Sequence, residues 1–130
     1  MECFIADCLY VKTTKEMGRG VFTKEAIPQN VIIEISPVLK MSSAERKLLD
    51  QTELYNYIFE WGENHDQCCV AWGYTSLYNH QFGSNCEYMM SFEEGIIKIR
   101  TMRSILANEE LFINYNGDWD NETSLWFDTK

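Results

Sequence analysis

A mostly β fold in one domain is what this sequence predicts, and three features carry the expectation. β-Branched and aromatic residues dominate most of the apolar runs. The only prolines are Pro28 and Pro37, and a single stretch reads as a helix. The 130 residues, 45% hydrophobic and 14% aromatic, match one ordinary domain with enough apolar surface for its own core.

Along the chain, the first strand is expected over residues 4–11, where Phe4-Ile5 and Leu9-Tyr10-Val11 supply the apolar pattern. Gly18-Arg19-Gly20 reads as a tight turn into a strand at 21–23, and Ala26-Ile27-Pro28-Gln29-Asn30 as a turn into one at 31–35. A helix follows, because Ser42 with Glu45 three residues on makes a capping box ahead of Arg46-Lys47-Leu48-Leu49. Strands are expected again at 55–61 and 68–72. The strands at 87–92 and 96–102 join in a hairpin through Glu93-Glu94-Gly95, and a last strand is expected at 111–115. Ser104-Ile105-Leu106-Ala107-Asn108 before Glu109 echoes residues 26–30 before Val31: either two similar corners of one β fold, or coincidence.

Twenty acidic against eleven basic residues give a net charge of −9, so a nucleic-acid backbone would be repelled. A basic polypeptide is the more natural partner, although the charge also serves solubility by itself. No stretch approaches the roughly 18 apolar residues of a membrane span, and Met1-Glu2-Cys3-Phe4 lacks the layout of a secretory signal. The protein is therefore expected to be soluble and intracellular, with Asn121-Glu122-Thr123 a tail rather than a glycosylation site. Five cysteines, Cys3, Cys8, Cys68, Cys69 and Cys86, read as reduced thiols, and their spacing lacks the paired pattern of a zinc site, so no metal is expected.

Four constellations could carry chemistry. Gly18-Arg19-Gly20 could bring backbone amides close to a carboxylate or phosphate, but a Gly-x-Gly is common in plain turns and no dinucleotide fingerprint surrounds it. Tyr78-Asn79-His80, with Asn85-Cys86-Glu87-Tyr88 shortly after, offers amide and imidazole groups for a purine edge or for main-chain carbonyls. Glu109-Glu110-Leu111-Phe112-Ile113-Asn114-Tyr115 is an acidic turn into an apolar strand ending on a tyrosine. Trp119, Trp126 and Phe127 are too large and apolar to leave in water, and would either cap the core or close a ligand cleft.

Taken in order, Gly-x-Gly, Asn-His, Asn-Cys-x-Tyr and Glu-Leu-x-x-x-Tyr resemble the SET domain of protein lysine methyltransferases. The likeness runs from Gly18 to Trp119. It is closest to the small stand-alone SET proteins of bacteria and viruses, whose order and spacing the runs Tyr57 to Trp61, Ala71 to Tyr74 and Ser76 to His80 also resemble, while Ile99 to Arg103 with Ala107 to Leu111 resembles the family's strand before the catalytic tyrosine.

The resemblance implies a SET-type fold of several short sheets, few short helices and a C-terminal pseudoknot. One SET domain would span 1–130, with its core at about 8–119 and the tail 117–130 closing a lysine channel. It implies S-adenosylmethionine as cofactor, held by Gly18, Arg19, Gly20, Tyr78, Asn79, His80 and Trp126. Tyr115 would be the catalytic tyrosine, and Tyr57, Tyr88, Tyr115 and Trp119 would line the site of the substrate lysine. The implied partner is a basic, lysine-containing segment such as a histone tail, without direct nucleic-acid or membrane contact, and the small size is compatible with a homodimer. Gln81, Ser84 and Ser76 stand where the family usually has Ser, Pro and Arg, and the cysteine-rich zinc module that follows many SET domains is absent. Those departures leave a rival reading, a catalytically weak or inactive SET-like module that binds a peptide or cofactor. A third, a purely structural interaction protein, predicts no cofactor binding.

Overall fold

Alternating apolar residues build ten strands in the computed structural model, which describes residues 3–115. They are β1 (Phe4–Ile5), β2 (Leu9–Thr14), β3 (Gly18–Thr23), β4 (Ile32–Met41), β5 (Phe59–Trp61), β6 (Gln67–Ala71), β7 (Asn79–His80), β8 (Cys86–Ser91), β9 (Ile96–Thr101) and β10 (Glu110–Ile113). Helix α1 (Ser43–Leu49) follows β4, and 3₁₀ turns occupy Glu53–Tyr57 and Thr75–Leu77. One sheet runs β5-β6-β4-β9-β8 with β1 added on β4, and the other runs β2-β3-β10-β7. The expected mostly β architecture of short sheets with few helices is the one that forms.

The predicted capping box closes α1: the Glu45 amide donates to Ser42 Oγ at 3.2 Å, and the Ser42 amide to Glu45 Oε1 at 3.0 Å. The predicted hairpin also forms, with Gly95 at φ +67 allowing its amide to reach the Ser91 carbonyl at 2.9 Å.

Several boundaries differ from the sequence reading for physical reasons. The strand expected over 4–11 breaks at a turn where the Leu9 amide donates to the Ala6 carbonyl, because β1 belongs to the large sheet and β2 to the small one. Residues 55–57 lie in the 3₁₀ turn, and only Phe59–Trp61 pairs as a strand. β4 runs on through Pro37, the point at which its partner changes from β9 to β6. Gly18-Arg19-Gly20 opens β3, paired with Thr14, Thr13 and Lys12, and the turn falls at residues 15–17.

The echo between 26–30 and 104–108 is a matched pair of corners. Ile27 and Ile105 exchange backbone hydrogen bonds of 2.9 and 2.8 Å. Asn30 and Asn108 both take left-handed φ, at 64 and 70. Asn30 donates its amide to the Thr101 carbonyl at the end of β9, and Asn108 donates to the Thr23 carbonyl at the end of β3. Each corner thus terminates on the strand that feeds the other.

Ile33 of β4, Ile97 and Ile99 of β9, Val21 of β3 and Leu111 and Ile113 of β10 meet in one buried cluster, which joins the two sheets. Each such side chain contributes about 1.5–3 kcal/mol relative to exposure. Cys68, Cys69 and Cys86 are buried, and burial pushes the Cys69 and Cys86 thiols up to about 12. Among the described residues no helix is long and apolar enough to cross a membrane.

Candidate active site

The small sheet brings three distant segments side by side. β3 pairs antiparallel with β10 (Phe22 opposite Glu110, Val21 opposite Leu111), and β10 pairs in parallel with the two-residue β7 (Phe112 opposite Asn79, Ile113 opposite His80). So short a parallel pairing is weak by itself. Asn85 reinforces it from a side chain, with Nδ2 donating to the Glu110 carbonyl at 2.9 Å and Oδ1 accepting from the Phe112 amide at 2.8 Å. The Gln81 amide adds a bond of 3.1 Å to the Ile113 carbonyl.

Asn79 ties β7 to the start of β3. Its buried amide nitrogen donates to the Arg19 carbonyl at 3.2 Å and to Glu110 Oε2 at 2.8 Å. Gly20 leaves room for this contact: a Cβ there would overlap the Glu110 carboxylate and lie 2.9 Å from Asn79 Nδ2, so these two side-chain ends would have to move. Gly18, at φ +70, has nothing within 4 Å of the position its Cβ would take, and Gly18 and Arg19 are exposed.

Tyr115 emerges just past the end of β10 and is held at three points. Its amide donates to His80 Nδ1 at 3.0 Å, its carbonyl accepts from the Tyr88 hydroxyl at 3.0 Å, and its own hydroxyl donates to the Tyr78 carbonyl at 2.6 Å. The His80 and Tyr115 rings lie 5.2 Å apart, and the Tyr88 ring meets Phe59 edge-on at 5.2 Å. Burial raises the Tyr115 phenol above its ordinary value, and the Tyr57 and Glu110 charges push in the same direction. Burial also holds His80 below the usual imidazole value. With Nδ1 accepting a backbone amide, the imidazole is neutral and carries its proton on Nε2.

Of the residues singled out in the sequence, Arg19, Gly20, Tyr78, Asn79, His80, Tyr88 and Tyr115 are joined by this network, whereas the Gly18 carbonyl accepts from Thr14 Oγ1 within the β2–β3 hairpin and Tyr57 ends the 3₁₀ turn 53–57. The Tyr78 side chain is sealed from solvent, so the group it presents here is its main-chain carbonyl. Trp119 and Trp126 lie outside the described residues, as does the segment after Tyr115 that would complete a pseudoknot. Two of the family departures keep this region bonded: Gln81 through its backbone amide, and Ser84 by donating to the Cys86 carbonyl at 2.7 Å.

Sequence reasoning missed Glu34 altogether, and it placed Asn85 and Glu110 in candidate motifs without assigning them the bonds they make here. A polar residue inside the apolar run 31–35, and a carboxylate immediately before the last strand, were the available signals.

The SET domain family model matches residues 18–116. A Schizosaccharomyces pombe protein, the histone-lysine N-methyltransferase specific for lysine 37 of H3, is 38% identical over 121 residues, covering 92% of this chain and 77% of that protein. The crystal structure of a Plasmodium falciparum protein, described as a candidate histone methyltransferase, matches with TM-score 0.65 and 26% identity over 88% of this chain and 98% of its own. Polycomb Repressive Complex 2 of Chaetomium thermophilum, in an autoinhibited conformation bound to S-adenosylmethionine, shares the fold at TM-score 0.72 and 22% identity, over 89% of this chain and 16% of that one.

Proposed function

This chain belongs to the SET-domain family, and on that premise we propose that it is a protein-lysine N-methyltransferase that moves a methyl group from S-adenosylmethionine to a lysine in a basic, histone-like segment. The observation that supports this best is the meeting of Gly18-Arg19-Gly20 on β3, Asn79-His80 on β7 and Tyr115 just past the end of β10, far apart in sequence, in one small sheet.

The groups present suit that cofactor. Its amino-acid end is a zwitterion and its sulfonium is a cation, while the site offers the exposed backbone of Gly18 and Arg19, the Glu110 carboxylate and the Nε2–H of His80. When bound, S-adenosylmethionine supplies a methyl group activated on sulfur for in-line transfer to an amine.

The chain's own residues then have three tasks. Tyr115 donates its hydroxyl proton to the Tyr78 carbonyl, which leaves the phenol oxygen to accept an amine N–H and so aim the nitrogen lone pair. Tyr88 and Tyr57 complete an aromatic wall that excludes water and attracts an ammonium by about 0.5–2 kcal/mol. A lysine entering from water with pKa about 10.4 is shifted towards its neutral, reactive form by that desolvation. His80 is not placed as the base for Tyr115, because its Nδ1 is occupied by the Tyr115 amide.

Recruitment is electrostatic: exposed Glu63, Asp66, Glu93 and Glu94, in a chain of net charge −9, favour a basic tail. The rest of the reading is that the chain works as an intracellular, soluble SET domain able to self-associate. The test is incubation with methyl-labelled cofactor and either core histones or H3 peptides spanning lysine 37, the residue named for the fission-yeast relative. Label appearing on lysine upholds the enzyme; cofactor binding without transfer indicates an inactive binding module, and neither indicates that the family fold serves another end.

A further inference from the structure

Among the described residues, Glu34 on β4 is the only acidic side chain buried from solvent, and the ion pairs there involve Glu60, Glu87 and Glu109 instead. A carboxylate buried without a cation is a poor choice for stability, since an apolar residue of similar volume packs without the desolvation cost. Burial raises the Glu34 carboxyl above its ordinary value despite the donors around it. Its bonding instead ties β4 to the segment 74–78 that leads into β7. Oε2 accepts from the Tyr74 amide at 2.7 Å and from Ser36 Oγ at 3.1 Å, and Ser36 Oγ lies 2.6 Å from Thr75 Oγ1. Oε1 accepts from the Tyr78 hydroxyl at 2.9 Å. Gly73, at φ +82, gives the carboxylate its room, because a Cβ there would lie 2.6 Å from Oε2.

We propose that Glu34 is a positioning residue for Tyr115: by gripping the Tyr78 phenol and the Tyr74 amide it fixes the Tyr78 carbonyl that accepts the Tyr115 hydroxyl. β4 lies between β6 and β9, so the grip starts from the interior of the large sheet. Tyr78 is fully buried and pinned at both ends, by its phenol to Glu34 and by the pairing of the next residue, Asn79, with β10. The carbonyl between those two anchors therefore has little freedom, and the Tyr115 hydroxyl bonded to it at 2.6 Å inherits that restraint. The role rests on the reading of Tyr115 as the residue that orients the amine.

The decisive experiment compares wild type, Glu34→Gln and Tyr78→Phe, each alone and combined with Tyr115→Phe. Glu34→Gln keeps the size but turns an NH2 towards donors that one carboxylate oxygen had accepted from, and Tyr78→Phe removes only the hydroxyl. In the presence of Tyr115, kcat is expected to fall about five- to tenfold in either variant, with KM for peptide and cofactor within about twofold. Once Tyr115 is Phe, neither substitution should lower kcat further. An equal fold-loss in both backgrounds, or unchanged kcat in either variant, overturns the proposal.

If Glu34→Gln does not fold, Tyr78→Phe carries the test by itself. Should the wild-type protein transfer no methyl group, the enzyme reading fails, and ¹³Cζ-tyrosine NMR still decides the positioning claim. Tyr78→Phe and Glu34→Gln should both shift the Tyr115 ζ-carbon resonance, and a Tyr115 signal indifferent to both overturns it.

Discussion

The backbone amide of Tyr115 donates to Nδ1 of His80 at 3.0 Å, a bond that only the neutral imidazole can accept. Burial disfavours the imidazolium and lowers the His80 pKa in the folded state. The contribution of this bond to stability is therefore fully present above about pH 6.5, the ordinary imidazole value, and is lost as pH falls through the depressed folded-state value. Thermal melts against pH, with the His80 ring followed by NMR, should show that order of events. A His80 that titrates at or above the free value contradicts it.

Removing one hydroxyl should separate chemistry from binding. Tyr115→Phe keeps the ring, its packing beside His80 and both backbone bonds, and loses the oxygen that would orient the amine. Turnover should fall about 100-fold or more while cofactor affinity stays within about twofold. Wild-type kcat in this variant, measured with label transfer, removes Tyr115 from the chemistry.

At Gly20 the missing Cβ is the point. An alanine there collides with the Glu110 carboxylate and with Asn79 Nδ2, the two groups that tie β3, β7 and β10 together. Gly20→Ala should cost about 1–3 kcal/mol of stability and weaken cofactor binding measured by calorimetry. A variant as stable and as tightly binding as wild type would show that the contact relaxes without consequence.

Asn85 replaces part of a strand neighbour for β10, bonding both the Glu110 carbonyl and the Phe112 amide. Asn85→Ala leaves the Phe112 amide and the Glu110 carbonyl without that partner, at about 1–3 kcal/mol for each buried group. Denaturant unfolding should register a loss of roughly 2–6 kcal/mol in total. A loss under about 0.5 kcal/mol, the range of an ordinary surface substitution, would mean that water replaces the latch.

Recruitment of a basic peptide by the acidic surface carries a salt signature. Raising ionic strength from about 0.05 to 0.5 M shortens the screening length several-fold and should raise KM for a lysine-rich peptide severalfold, with kcat nearly constant. A KM indifferent to salt would place recognition in packing contacts instead.

Much of the fold was legible because local rules decided it. Ser42 and Glu45 are close enough in sequence to make their reciprocal cap without any tertiary help, and Glu93-Glu94-Gly95 closes a hairpin through one glycine. Residues 4–11 were misread as one strand because periodicity reports that a residue alternates, not which sheet it joins. Gly18-Arg19-Gly20 was legible as a place of close approach but not as strand, since its extended form depends on pairing with Lys12 to Thr14. The Asn30 and Asn108 corners could only be suspected from their echo, because what proves them is an exchange of bonds across more than seventy residues.

By itself the sequence determined the β composition, the acid excess, the order of the motifs and hence the family. Which groups touch was decided by tertiary structure alone: the amide of Asn79 between Arg19 and Glu110, Asn85 bonded to β10, and the line from Glu34 through Tyr78 to Tyr115. The physical reason is that propensity and patterning act over a few neighbouring residues. A buried hydrogen bond forms only where folding has excluded water and brought remote donor and acceptor within about 3 Å.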